Sequence, residues 1–146
     1  MSKLIELAIK NNVIKELKDI NVIEDNSIYL NEESVNYNFK YKEGDIIFVK
    51  EYLYSDGKVG TNHLFLIIED NYAITMDYFC FLISSKSDKL KYNTNKLLSK
   101  NNLKKDSIIK LDIIYRIDNS DILFKVGEVT KNQLDNYKNI FIDIYS

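Results

Sequence analysis

Proline and tryptophan are absent from this chain of 146 residues, and cysteine, histidine and arginine occur only once each. Because Cys80 is the single cysteine, an internal disulfide is excluded, and no Cys/His cluster exists to bind zinc. The apolar runs are only a few residues long, far below the ~20 that a membrane-spanning helix needs. The N-terminal stretch also lacks the apolar core and the small-residue cleavage site of a signal peptide. We therefore predict a cytoplasmic protein that needs neither metal nor cofactor and enters no membrane.

The lysines are concentrated in one part of the sequence. The net charge is only −2, yet residues 86–111, here called the lysine-rich segment, carry eight lysines against two acidic residues. Such a run, interleaved with a tyrosine and with Asn and Thr, suits the phosphate backbone of a nucleic acid. A solvated loop without a ligand has the same composition, so both interpretations stay open.

Hydrophobic periodicity indicates a mainly β protein with a helix at each end. Residues 2–19 carry apolar side chains at helical spacing, and Thr130 with Gln133 forms the capping box of a second helix. The apolar face predicted for that second helix consists of Leu134, Tyr137, Phe141 and Ile144. Short β-branched and aromatic runs predict strands at 46–54, 64–69, 73–84, 107–116 and 122–129, with a further short one at 27–30. Their short connections favour an antiparallel barrel or a strongly bent sheet.

Four sequence pieces, in a fixed order, resemble one known family. They are KEGDIIFVK (42–50), HLFLIIEDN (63–71), FLISSK (81–86) and LKKDSIIKLDIIYRID (103–118). Each is similar to a strand motif of the PemK/MazF toxins, the endoribonucleases of type II toxin–antitoxin systems. The resemblance covers about residues 42–144 and leaves the first 40 residues unexplained.

The resemblance implies an SH3-like antiparallel β-barrel with an N-terminal and a C-terminal helix. It implies a homodimer that cleaves single-stranded RNA without a metal and is bound by a cognate antitoxin. Residues 42–146 would form the barrel domain, with residues 1–41 appended to it as a helix and an acidic linker. We expect residues 20–40 to lie along the barrel and to shield part of the RNA site. The alternative is that the N-terminal helix merely extends the core or the dimer interface.

The resemblance also supplies two candidate catalytic residues. His63 stands where the family has an arginine, with Leu64 in place of the following proline, and Ser84 stands at the family's Thr/Ser position. Replacing a guanidinium with an imidazole removes a permanent charge. An imidazole, however, titrates near neutrality, which suits acid–base catalysis. A strand-edge histidine with a structural hydrogen bond is the alternative. Cys80, among aromatic residues, is interpreted as a small buried apolar residue rather than a nucleophile.

RNA-binding candidates follow from the same alignment and from the lysine-rich segment. Cations and hydroxyls would contact phosphates, and a tyrosine would stack on an unpaired base. These candidates are Lys58, Ser85, Lys86, Lys89, Lys91 and Tyr92. Each is equally compatible with an ordinary surface or turn residue, and Arg116 lies one position away from the family's late arginine.

Three classes of function remain open at this stage. The first is the endoribonuclease toxin. The second is a catalytically degenerate SH3-like barrel that binds RNA or a protein partner without cleavage, because the family's arginine and proline are both replaced. The third is an interaction protein whose N-terminal helix forms the contact. Proximity of His63 and Ser84 in one groove would favour the enzyme.

Overall fold

The computed structural model describes residues 2–16, 41–50, 52–53, 59–60, 63–70, 77–84, 95–98 and 107–146. For 52–53, 59–60, 63 and 95–98 only the backbone is described. The predicted strand at 27–30 and the acidic segment at 20–40 lie outside these ranges, so they stay predictions.

In the described part of the chain, two α-helices flank a set of short strands. The helices are α1 (Lys3–Lys10) and α2 (Lys131–Tyr145). The strands are β1 (Ile14–Glu16), β2 (Asp45–Val49), β3 (Tyr52–Leu53), β4 (Val59–Gly60), β5 (His63–Asp70), β6 (Asp77–Ser84), β7 (Asn95–Leu98), β8 (Ser107–Lys110), β9 (Ile114–Asp118) and β10 (Ile122–Glu128). One 3₁₀ turn, Asn119–Asp121, joins β9 to β10.

Eight of these strands form one mixed sheet. Its order is β1-β9-β6-β5-β2-β10, while β8 pairs with β6 and with β7; β3 and β4 form a separate ribbon. The pairs are antiparallel except for β1, which lies parallel to β9. The predicted mainly β, barrel-like fold with a helix at each end is therefore confirmed, with one parallel strand added.

Register shifts bend the sheet. One shift interrupts the β5–β6 ladder between Ile67 and Glu69, and two interrupt the β10–β2 ladder. The predicted single strand at 107–116 is wrong, because β8 and β9 are separate strands that share one edge of β6. Ile109 lies opposite Ile83 and Tyr115 opposite Cys80, so the stretch between β8 and β9 carries three extra residues. Such bulges increase the twist and let a short sheet curl.

The predicted helix over 2–19 is too long. It ends at Lys10, because Asn12 adopts a left-handed backbone conformation with a φ of 55°. Asparagine tolerates this conformation better than most residues, and it commonly ends helices. The chain then continues as β1, where the amide of Ile114 donates to the carbonyl of Val13 at 3.0 Å.

Strand alternation divides the buried side chains between two faces of the sheet. The helix-covered face carries Ile46, Leu66, Ile68, Phe79, Phe81 and Ile83, which pack with α1 and α2. The opposite face carries Ile47, Val49, Phe65, Ile67, Tyr78, Cys80, Leu82 and Ile117. Both faces are therefore apolar, and β6 is buried along its whole length.

The second helix follows its prediction with one exception. Its capping box is confirmed: the amide of Gln133 donates to Thr130 Oγ1 at 3.1 Å, and Gln133 Oε1 accepts from the amide of Thr130 at 2.9 Å. Leu134, Tyr137 and Phe141 are buried, but Ile144 is 38% exposed. Tyr145 replaces it in the last turn, packing on Phe141 and donating to the carbonyl of Asp112.

The first helix is part of the same core. Leu4, Ile5 and Ala8 are buried in the cluster that also contains Tyr137 and Phe141 of α2. Among the described residues, no helix is long and apolar enough to cross a membrane.

Candidate active site

His63 and Ser84 lie at the same end of two neighbouring strands. His63 is the first residue of β5, and Ser84 is the last residue of β6. The two strands are antiparallel, with Leu64 opposite Ile83. Continuing this register by one residue brings His63 opposite Ser84. Directly opposite positions have Cβ atoms about 4.5–5.5 Å apart, so the backbone places the two predicted catalytic residues as neighbours.

The pair belongs to the opposite face of the sheet, away from the helices. On β5, His63 alternates with Phe65, and on β6, Ser84 alternates with Leu82; Phe65 and Leu82 both belong to the cluster on that face. The pair therefore lies in one cross-strand row, between Val49 of β2, opposite His63, and Ile108 of β8, opposite Ser84.

Ser84 is buried and interacts with another part of the fold. It is 9% exposed and has an interaction partner within the fold. A serine hydroxyl can both donate and accept a hydrogen bond. Its neighbour on β8, Ile108, is apolar and completely buried. A hydroxyl in such a setting makes stronger hydrogen bonds than one in water.

Gly44 and Asp45, which match the family's opening pair, have a structural role. Gly44 has a φ of +91°, and a Cβ added to it would lie 3.4 Å from the Val129 carbonyl oxygen. Its amide donates to the carbonyl of Ile67 at 2.8 Å, which ties the turn to β5. The buried Asp45 carboxylate accepts from the amide of Lys42 at 3.0 Å.

Lys125 joins this structure to β10. Its Nζ lies 3.0 Å from Oδ1 of Asp45 and 3.0 Å from Oε2 of Glu128. Hydrogen bonds to Asp45 and then Glu128 raise the pKa of the Lys125 ammonium. The contacts of the glycine–aspartate pair therefore hold β2 between its two neighbours and contribute no group to the row of His63 and Ser84.

Arg116 does not belong to the site. It lies on β9 opposite Phe79, on the helix-covered face, whereas Ser84 belongs to the other face. Its guanidinium is paired with Glu16 of β1, at 2.5 Å, and with Asp77 of β6, at 3.1 Å. The sole arginine thus connects three strands at the far end of β6.

Cys80 is buried, as the sequence predicted, and does not suit nucleophilic chemistry. Its side chain is fully buried on the opposite face. Desolvation and the nearby Asp77 carboxylate raise the pKa of the Cys80 thiol well above its usual value. The neutral thiol is a poor nucleophile, because the thiolate is the reactive form.

The remaining predicted contact residues lie outside the described ranges. They are Lys58, Ser85, Lys86, Lys89, Lys91 and Tyr92. Of the lysine-rich segment, the structure describes β7, β8 and Leu111. This part lies beside the end of β6, because β8 pairs with β6 and β7 pairs with β8.

Two residues on the face of Ser84 were not singled out by the sequence. Tyr115 of β9 packs edge-on against Phe65, with ring centroids 5.5 Å apart, and Lys110 closes β8. Both are half-buried. Only the strand register shows their proximity to the site. No group of three or more His, Cys, Asp or Glu side chains gathers within the described part of the chain as metal ligands would.

The comparisons with known proteins bear on the part of the chain that contains this site. A search of curated proteins gives no match. A family model described as PemK-like, MazF-like toxin of type II toxin-antitoxin system matches residues 42–144. The match begins just before β2, ends in the last turn of α2, and includes both His63 and Ser84. The chain therefore belongs to the PemK-like, MazF-like toxin family of type II toxin–antitoxin systems.

Proposed function

We propose that this protein is the toxin of such a system and acts as a metal-independent endoribonuclease on single-stranded RNA. The observation that supports the proposal is the β5–β6 register, in which Leu64 lies opposite Ile83. Continued by one residue, this register puts His63 opposite Ser84 at the ends of their strands. Family membership supports the toxin role, and the chemistry follows from what these two groups can do.

RNA cleavage without a metal needs a proton acceptor for the 2′-hydroxyl, a donor for the phosphate and a proton for the leaving 5′-oxygen. In our proposal the imidazole of His63 removes the 2′-hydroxyl proton, and the 2′-oxygen attacks the phosphorus. The P–O5′ bond breaks, and the 5′-oxygen takes up a proton from the His63 imidazolium, which returns to its neutral form. The products are a 2′,3′-cyclic phosphate and a 5′-hydroxyl. The Ser84 hydroxyl donates to a non-bridging phosphate oxygen as negative charge develops there.

The RNA would reach the site past residues that the sequence predicts as its contacts. Lys58, Ser85, Lys86, Lys89 and Lys91 would contact phosphates, and Tyr92 would stack on a base. The position of β7 and β8 beside the Ser84 end of β6 supports this, because the same segment supplies most of these residues. We also propose a homodimer, a cognate antitoxin as protein partner and action in the cytoplasm, where RNA is the target.

Residues 1–41 are proposed to be an addition to the family domain at 42–146. The described part of this addition supports close integration, because α1 joins the core and β1 extends the sheet. Shielding of the RNA site by residues 20–40 stays a prediction that a truncation can test.

The decisive experiment incubates the purified protein with a long single-stranded RNA in EDTA and maps the cut sites. We expect cleavage without magnesium and fragments that end in a cyclic phosphate. The degenerate barrel would bind the same RNA and leave it intact, and a pure interaction protein would do neither. Cleavage that EDTA abolishes would contradict the metal-independent mechanism.

A further inference from the structure

Among the described lysines, Lys110 alone lies on β8, the strand that pairs with the Ser84 end of β6. It is the last residue of β8, and β8 pairs with the end of β6 that carries Ser84. Ser84 lies opposite Ile108, so Lys110 is two residues further along the same strand and on the same face. Diagonal neighbours of this kind have Cα atoms about 7–8 Å apart, a gap that long side chains span.

The surroundings of Lys110 are unusual for a lysine. The other β8 residues are buried, and Lys110 itself is half-buried. Continuing the β6–β8 register places it opposite Leu82, which is 7% exposed and belongs to the apolar cluster. Lysine is rarely buried, and a half-buried one packs its methylene chain on apolar residues while the ammonium stays near water. A cation held above apolar side chains and next to a buried hydroxyl suits a phosphate. The low polarity of these surroundings strengthens the attraction between the ammonium and an anion.

We propose that Lys110 is a phosphate-binding residue of the His63–Ser84 site, a role that rests on the proposed function. In this arrangement its ammonium contacts the phosphodiester whose non-bridging oxygen accepts from Ser84. Lys110 also has an interaction within the fold. The other predicted lysines would guide the flanking RNA, whereas Lys110 acts at the cleaved phosphate.

Two neutral variants and one conservative variant test this role. Lys110→Met keeps the apolar chain and removes the charge, Lys110→Gln does the same with a polar end, and Lys110→Arg retains a cation. The matched control is Lys15→Met, because Lys15 is an exposed strand lysine on β1, which pairs with β9 and not with β6. Circular dichroism identifies any variant that fails to fold. If one neutral variant does not fold, the other one tests whether Lys110 binds phosphate.

Binding is measured first, by fluorescence anisotropy of a labelled single-stranded RNA at several salt concentrations, in the His63→Ala protein. Removing one phosphate contact should reduce the slope of log K against log salt by about 0.7 and weaken binding about tenfold. Lys110→Arg should restore the slope, and Lys15→Met should leave it unchanged. An unchanged slope in both neutral variants would overturn the inference.

Cleavage is measured second, with His63 present. If Lys110 contacts the reacting phosphate, its neutral variants should lower kcat/KM on the order of 100-fold. Equal cleavage by wild type and both neutral variants would overturn the inference while the proposed function stands. If the wild type binds RNA without cutting it, the proposed function fails, and the salt slope still decides whether Lys110 binds phosphate.

Discussion

Arg116 binds Asp77 across the β6–β9 pair, with Nε 3.1 Å from Oδ2 of the carboxylate. Asp77 is 6% exposed, and its second oxygen, Oδ1, is buried with no hydrogen-bond partner among the described residues. The ion pair therefore neutralises a carboxylate that has little other compensation.

Arg116→Met should lower the free energy of unfolding by about 1–3 kcal/mol, because it leaves the Asp77 charge buried without its partner. RNA cleavage should persist, since Arg116 lies on the face away from Ser84. Urea denaturation and a cleavage assay check both points. The control is Lys42→Met, which removes a solvent-exposed pair with Glu128 and should leave the stability close to that of wild type. Equal stability losses in the two variants would contradict the importance of burial.

His63→Ala should reduce RNA cleavage about 10²–10⁴-fold, the usual contribution of a positioned acid–base group, and leave the fold intact. Ser84→Ala should also lower the rate strongly, through loss of a phosphate donor. Gel-based rates with circular dichroism as the folding check are the measurement. Ser107→Ala is the matched control, because Ser107 is a buried serine of the same sheet, 4% exposed, on β8. Full activity of His63→Ala would show that another group does the chemistry.

Cys80 should make stability fall in alkaline solution. Its pKa is raised in the fold, whereas an unfolded thiol has a pKa of about 8.5, so ionisation favours the unfolded chain above that pH. The contribution of the neutral Cys80 thiol to the free energy of unfolding is fully present below pH ~8.5. It is lost, by up to about 1.4 kcal/mol per pH unit, as the pH rises towards the pKa of the folded state.

Urea denaturation at pH 7, 8.5 and 10 measures this effect, with Cys80→Ala as the comparison. As the pH rises, the free energy of unfolding should fall more steeply for wild type than for Cys80→Ala, because only wild type carries the thiol. Tyrosine ionisation occurs in both proteins and does not contribute to the difference. Native Cys80 should also resist a thiol reagent at pH 8. Parallel pH profiles, or rapid labelling of the native protein, would contradict the prediction.

Ile5→Ala should destabilise the protein by about 2–5 kcal/mol, the range for a large-to-small change in a core. Ile5 is 3% exposed and packs in the cluster of α2. Ile9→Ala, on the same helix, is the control, because Ile9 is 55% exposed. Thermal unfolding checks the pair. Equally small losses of thermal stability in the two variants would contradict the assignment of α1 to the core.

Local pattern was enough to predict most of the fold. Short β-branched and aromatic runs marked β5 and β6, and Thr130 with Gln133 marked the start of α2, because these signals come from residues close in sequence. The pairing of β1 with β9 was missed, since Ile14 lies opposite Ile114 and no short window contains both. The break at Asn12 was missed because helical spacing continues past it.

The candidate site was predicted in part for the same reason. The family motifs placed His63 and Ser84 on consecutive strands, and the register then brought them opposite each other. Lys110 was not distinguished, because eight lysines of one segment look alike in sequence. The β6–β8 register places Lys110 on the face of Ser84, and no short stretch of sequence reveals that register.

The pairing of β2 with β10 also governs when a newly made chain can finish its fold. β2 ends at residue 49, but its partner β10 extends to residue 128. On the ribosome β5 and β6 can already form a hairpin, while β2 keeps one edge open until β10 has been synthesised. Contacts so distant in sequence form late in folding. The sheet, and with it the support for a site at the ends of β5 and β6, is therefore completed only after residue 128 has been translated.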